Sequence, residues 1–214
     1  MQLREAFECF IGRQSGEVVI TSAGSTSMLW WALTHDMDRV FYLGASMGMT
    51  SMFAAGIALG APELPVWVFE GDGGFAMNPG ALMVLRDLNL PNLKHFLVSN
   101  RRYVATGART LPNAERNDYA SLARSMGIDR VYSVADRDAL ERDFDRIVLE
   151  RGYTFTVLEI EPAPPGSTSA PSDQAEPRTP FGRFDDEARV RFGRYVERVA
   201  GIKVFDYPYA PPRI

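Results

Sequence analysis

Short apolar runs recur along the chain, spaced widely enough to leave room for a helix between successive runs. Val18-Val19-Ile20 comes first, then residues 39–43 (RVFYL), 65–70 (PVWVFE), 94–99 (KHFLVS) and 153–160 (YTFTVLEI), with a weaker run at Val131-Tyr132-Ser133. Several are apolar nearly throughout, the pattern of strands covered on both faces of a parallel sheet. Between them the spacing turns helical. Residues 46–59 are small and apolar and predict a closely packed central helix, and residues 79–88 set Leu82, Leu85 and Leu88 three apart. Residues 118–126 and 138–150 are amphipathic, the latter with Leu140, Phe144, Ile147 and Val148 on one face. Strands alternating with helices imply right-handed crossovers. The predicted fold is therefore α/β, an open, doubly wound, mainly parallel sheet with helices on both faces.

The alternation stops at Glu161. Residues 162–180 (PAPPGSTSAPSDQAEPRTP) lack apolar periodicity and read as an extended linker or lid. Residues 185–199 are helical again, with Val190, Tyr195, Val196 and Val199 available for burial, and Tyr207 to Pro212 form an irregular aromatic tail. The tail reads either as a strap over its own domain or as an arm that docks another subunit. The expected organisation is a domain over residues 1–161, a linker over 162–180, and a helix with a tail over 181–214.

Composition narrows the class only a little. A chain of 214 residues with 46% hydrophobic residues suits one sizeable globular domain. A formal charge of −4 with scattered basic residues argues against nucleic acid or an anionic membrane as partner. Neither a signal peptide nor a membrane-length apolar run is present, so a cytoplasmic location is expected. Cys9 excludes an internal disulfide and reads as a small buried residue of the first helix, with a reactive thiol as the alternative.

The candidate chemistry lies where strands end. In an open parallel sheet, ligands bind at the carboxyl ends of strands, and three such ends carry glycine or small polar residues: TSAGSTS (21–27), GASMG (44–48) and GDGG (71–74). Glycine lets backbone amides approach a phosphate, and a following helix N-terminus favours the anion. Asp72 changes the picture. A carboxylate among phosphate-binding amides repels the phosphate unless a cation lies between, and Mg²⁺ bridges protein oxygens to a diphosphate in this way. Asn100, ending the next strand, supplies a second oxygen. The alternative makes Asp72 a helix cap and Asn100 a turn residue.

The stretch GDGGFAMNPGALMVLRDLNLPNLKHFLVSN, from Gly71 to Asn100, resembles the cofactor motif of thiamine diphosphate enzymes, and its wording is similar to that of phosphonopyruvate and sulfopyruvate decarboxylases. The resemblance extends over about residues 18–160. It implies a thiamine diphosphate-binding fold in which Asp72 and Asn100 bind Mg²⁺ through side chains and Arg102 through its carbonyl. It also implies that Gly73 and Gly74 present amides to the diphosphate, and that Gly24 and Ser25 approach the cofactor from another side. Ala45 would offer its carbonyl to the aminopyrimidine, and Met47 would hold the cofactor bent, which activates its thiazolium carbon. Ser46, Gly71 and Tyr103 complete the expected cofactor-contacting set.

Two departures accompany the resemblance. Where the family has a glycine or two after the asparagine, this chain has Arg101-Arg102, either a handle for an anionic substrate or a solvated turn. The resemblance covers only the diphosphate-binding half, so the pyrimidine-binding domain, with its activating glutamate, is expected on another polypeptide. The resemblance therefore implies the β subunit of a two-subunit 2-oxo acid decarboxylase, with no catalytic acid–base residue of its own and the glutamate on an α subunit. The alternatives are an acetolactate synthase-like carboligase subunit and a non-catalytic scaffold subunit that kept the fold. His95 is expected to be a packed structural residue and His35 to be exposed.

Overall fold

The computed structural model describes residues 1–162 and 185–205. Most of the Pro-rich stretch and the aromatic tail lie outside the described residues. Six strands form one sheet, β1 (Val18–Ser22), β2 (Val40–Leu43), β3 (Val66–Gly71), β4 (Leu93–Ser99), β7 (Val131–Val134) and β8 (Thr154–Glu159), in the order β2-β1-β3-β4-β8-β7. Every neighbouring pair in it is parallel. The six predicted apolar runs are these six strands. Two short strands that carry no periodicity, β5 (Arg102–Tyr103) and β6 (Arg109–Thr110), pair as a separate antiparallel hairpin.

Parallel pairing forces crossovers, and the crossover helices cover both faces. Alternation along β3 shows the two sides. Val66 and Val68 face a core built with α3 (Thr50–Gly60), α5 (Ala81–Leu88) and α6 (Tyr119–Ser125). Trp67 and Phe69 face the other, built with α1 (Leu3–Ile11), α2 (Ser25–Thr34) and α7 (Arg137–Leu149). The second core is aromatic: Phe10 lies 4.5 Å from Phe96 and 5.0 Å from Phe69, ring centroid to ring centroid. Cys9 is buried in it, and burial raises its thiol pKa, as suits a packing residue.

Two helices depart from expectation. The small-residue helix starts at Thr50, not Ser46, because Ser46 and Gly48 have φ of 60° and 80°, which no α-helix accommodates. Its Ala54, Ala55 and Ala58 are buried against the sheet as predicted. α8 (Asp185–Ala200) buries Val190 and Val196, but Val199 is exposed. This helix is held at the β2 edge by Phe192 against Phe41 and by Arg191, whose guanidinium donates to both Asp38 oxygens at 2.9 and 3.1 Å.

One feature of the strand order positions the site. The chain leaves β1 for β2 on one side and returns to β3 on the other, so β1 and β3 are neighbours whose following loops diverge to opposite faces. A crevice opens between those loops.

Candidate functional site

The crevice is a cleft of about 290 Å³ above the carboxyl ends of β1, β3 and β4. All the nominated residues except Ala45 and Ser46 line it: Gly24, Ser25, Met47, Gly71, Asp72, Gly73, Gly74, Asn100, Arg102 and Tyr103. Ala45 and Ser46 sit exposed on their loop outside the lining. Ser22 and Ala23, from the strand-end run 21–27, also line the cleft, as do Thr50, Met77 and the 104–106 turn, which carry no signal of their own in the sequence.

Close approach of backbones builds the walls. Gly24 caps α2 at φ 94°, ψ −140°, a conformation that strains any residue with a Cβ. A Cβ on Gly73 would lie 2.9 Å from Tyr103 Cδ1, so only glycine lets the Tyr103 ring rest on this turn. The Arg102 carbonyl oxygen is 3.9 Å from the same point. The three loops are also tied to one another. The Gly71 amide donates to Ser22 Oγ at 3.0 Å, and Asn78 Nδ2 donates to the Gly48 carbonyl at 3.0 Å.

Asp72 and Asn100 follow paired strands, with Gly71 in register with Val98. Consecutive amides then pin their oxygens. Arg101 N–H donates to Asp72 Oδ2 at 2.7 Å, and Arg102 N–H donates to Asn100 Oδ1 at 3.0 Å. The left-handed φ of 60° at Arg101 puts both amides in place. Asp72 is 1% exposed. Burial pushes its pKa up to about 7, against the lowering effect of the Arg101 and Gly73 amides.

The Arg101-Arg102 pair divides. Arg101 turns inward, donating to the Ala114 and Asn117 carbonyls and pairing with Glu159 at 3.1 Å, so it is a structural brace. Arg102 stays on the cleft wall. His95 is fully buried as expected, with Tyr153 Oη 2.8 Å from Nδ1 and Glu70 Oε2 3.2 Å from Nε2. His35 is exposed.

Residues 22–160 match the family model of the thiamine pyrophosphate enzyme, C-terminal TPP binding domain. The chain belongs to this family. Among curated relatives, the sulfopyruvate decarboxylase subunit beta of Methanothermobacter thermautotrophicus is 31% identical over 86% of this chain and 94% of its own. The sulfopyruvate decarboxylase of Methanosarcina acetivorans is 27% identical over 82% of this chain but only 44% of its own. A solved structure described as a thiamin diphosphate-dependent enzyme from Mycobacterium smegmatis shares the fold, with a TM-score of 0.64 at 22% identity. It covers 76% of this chain and 32% of that one.

The residues present fit the TPP diphosphate and a hard cation. Asp72, Asn100 and Arg102 all line the cleft, and the Arg102 carbonyl lies 3.9 Å from the point a Gly73 Cβ would occupy. Among the described residues there is no cluster of three or more His, Cys, Asp or Glu side chains that would form an all-protein metal cage. A sparse set of oxygen donors suits Mg²⁺, which binds through one or two protein groups plus substrate phosphates.

Proposed function

We propose that the chain is the β subunit of a two-subunit, cytoplasmic, thiamine diphosphate- and Mg²⁺-dependent 2-oxo acid decarboxylase acting on a sulfopyruvate-like acid. The observation that carries this reading is the pair of side-chain oxygens, Asp72 and Asn100, held by successive amides beside a glycine turn. In this reading the two side chains and the Arg102 carbonyl hold Mg²⁺, and the Gly73 and Gly74 amides hold the diphosphate. Gly24, Ser25, Gly71 and Tyr103 shape the walls. Ala45, Ser46 and Met47 face the aminopyrimidine at the rim. The cofactor, when bound, supplies the electron sink for loss of CO2 from a 2-oxo acid.

The chain's own part is to bind, orient and exclude water. Asp72 is the one carboxylate among the described residues that line the cleft, and it is buried at the floor. An acid for the far side of the cofactor therefore comes from elsewhere. The Methanosarcina relative carries its matching region within a longer single chain, whereas the Methanothermobacter relative is a β subunit of matching length. A separate α subunit, carrying the pyrimidine-binding domain, fills the same need here.

Its docking surface is the open side of α3. This helix, TSMFAAGIALG, has no charged residue, and Leu59, Met83, Val84, Met47, Met49 and Met77 are exposed on it or beside it. A helix apolar all round is normally covered on all sides. The helix begins at the cleft mouth, so whatever covers it also closes the cleft.

The test is co-expression with a candidate α subunit, followed by a CO2-release assay with sulfopyruvate, Mg²⁺ and thiamine diphosphate. Turnover that disappears when either subunit is omitted is the expected result. A stable complex that turns over no 2-oxo acid would leave the scaffold reading in its place.

A further inference from the structure

We infer that Glu159 is a positioning residue for the metal site. It acts through Arg101, by holding that residue in the backbone conformation that aims two amides at Asp72 and Asn100, and by cancelling its charge. The inference rests on the decarboxylase reading, which assigns a divalent cation to those two side chains. Neither Arg101 nor Glu159 lines the cleft.

Arg101 sits at a φ of 60°, where glycine is at ease and a residue with a Cβ is strained. The site nevertheless depends on this conformation. Its own amide donates to Asp72 Oδ2 at 2.7 Å, and the next amide along the chain donates to Asn100 Oδ1 at 3.0 Å. Strain persists only where the surroundings over-determine it, and here they do. The Arg101 carbonyl accepts from the Leu111 amide at 3.0 Å. One terminal nitrogen of the guanidinium donates to the Ala114 and Asn117 carbonyls, and the other to the Glu159 oxygens at 3.4 and 3.1 Å. Leu111, Ala114 and Asn117 belong to the stretch between β6 and α6. Glu159 alone stands on the central sheet, at the end of β8 and in register with Ser99 of β4. It fixes the strained residue to the same strands that carry the site.

Charge gives the pairing a second purpose. A guanidinium beside a divalent cation opposes its binding unless an anion answers it. Both charges are felt at Asp72. Burial raises its pKa most and the Arg101 and Gly73 amides lower it; beyond these, the Arg101 charge lowers it and the Glu159 charge raises it. With Glu159 in place, the pair presents little net charge to the metal ligands. The two side chains are 31% and 32% exposed, so solvent screens the pair in part and the effect is moderate.

The experiment is a double-mutant cycle in the reconstituted complex. Glu159→Gln removes the charge. Arg101→Gly removes the side chain, keeps the amide that meets Asp72, and accepts the left-handed conformation without a brace. Calorimetry measures the Mg²⁺ Kd at saturating thiamine diphosphate for wild type, both single variants and the double variant. Thermal melting follows folding, and kcat and the KM for sulfopyruvate are read at low and at saturating Mg²⁺. Glu159→Gln should raise the Mg²⁺ Kd roughly 3- to 10-fold and leave the KM for sulfopyruvate within about twofold of wild type. Saturating Mg²⁺ should restore kcat. In the Arg101→Gly background the same change should cost less than about twofold. Glu159→Asp, which keeps the charge, should recover part of the loss.

An unchanged Mg²⁺ Kd in Glu159→Gln, with or without a lowered melting temperature, would reduce the pair to a staple of the loop and overturn the inference. Equal losses in both backgrounds would show that Glu159 acts without Arg101, and would overturn it as well. A wild-type complex whose cofactor binding ignores Mg²⁺ would overturn the metal assignment and the inference with it. One that binds Mg²⁺ and cofactor, gives the expected cycle and turns over no 2-oxo acid would overturn the decarboxylase reading and leave the positioning role standing.

Discussion

The two helical layers on the sheet differ in what they present to the outside. On one side, α1, α2 and α7 enclose the aromatic core, and α7 turns charges outward, with Arg137 pairing Glu141 at 2.7 Å. On the other, α3 buries its alanines against the sheet and presents Gly56, Leu59 and Gly60 to solvent without one charge. Among the described residues the first layer is finished by a charged outer surface, whereas the second leaves an uncharged apolar surface beside the cleft. In the proposed reading that second surface is where the α subunit docks, so stability and partner binding are tested on opposite faces of one sheet.

The sharpest way to break that comparison is to damage the closed layer. Phe10 touches Trp67, Phe69, Phe96 and Phe144, so Phe10→Ala leaves a cavity on which four rings border. A loss of about 3–5 kcal/mol is expected by denaturant titration. An effect under about 1 kcal/mol would mean that this layer is less tightly closed than the ring distances show.

Next comes the site. Asp72→Ala removes the buried oxygen held by the Arg101 amide, and should weaken Mg²⁺-dependent cofactor binding in the complex by about 100-fold or more, read by calorimetry. Because its carboxyl carries a burial cost, the isolated chain should not lose stability in parallel. Parallel loss of both would make Asp72 a folding residue instead.

The open layer is tested by charge. Leu59→Glu and Met83→Glu alter side chains that are 59% and 64% exposed. Each should leave the isolated chain within about 0.5 kcal/mol of wild type and weaken association with the α subunit by about 2 kcal/mol. A control on the finished side, Arg142→Glu on α7, should leave association unchanged. Equal effects on both faces would erase the distinction.

How much of this the sequence showed depends on the range of the interactions. The six strands were legible because parallel strands covered on both faces are apolar along their length. The placement of the GDG turn and Asn100 on one cleft was legible because each ends a strand that the apolar pattern marks. The hairpin β5–β6 was not, since strands of two residues have no period to read. Nor was α2, whose Ser-Thr-Ser start resembles a continuation of the glycine loop and whose Trp30 and Trp31 give no clean stripe. The different fates of Arg101 and Arg102 depend on Glu159, which lies 58 positions from Arg101 and reaches it only because β8 pairs with β4. The same pairing brings Tyr153 to His95, and neither residue announces the other. Ser22 looked like one more small residue in a loop, yet its hydroxyl accepts from Gly71 and joins two strand ends.

The smallest effect lies at the opposite end of the strands from the cleft, and it asks whether the finished layer is finished there too. Lys94, at the start of β4, sends its ammonium to the Glu150 and Gly152 carbonyls, just past the C-terminal end of α7. A cation there is favoured by the helix end. Burial nevertheless lowers its pKa from 10.5 to about 8, with the Glu150 charge opposing the shift. Between about pH 8 and 10.5 the unfolded chain therefore keeps a proton that the folded chain has released. Stability due to this group rises with pH across that window, and is lost as pH falls through the folded value. Wild type should gain on Lys94→Met over that range, by rather less than about 1.4 kcal/mol per pH unit because the ammonium is only partly shielded from solvent at this end of the strands. Below pH 7 the difference between the two should be flat. Urea titrations of both proteins at pH 7, 8.5 and 10 measure it. A difference that shrinks as pH rises would show that the ammonium is stabilised by the α7 carbonyls more than it is penalised by burial, and that this end is closed by charge, not by packing.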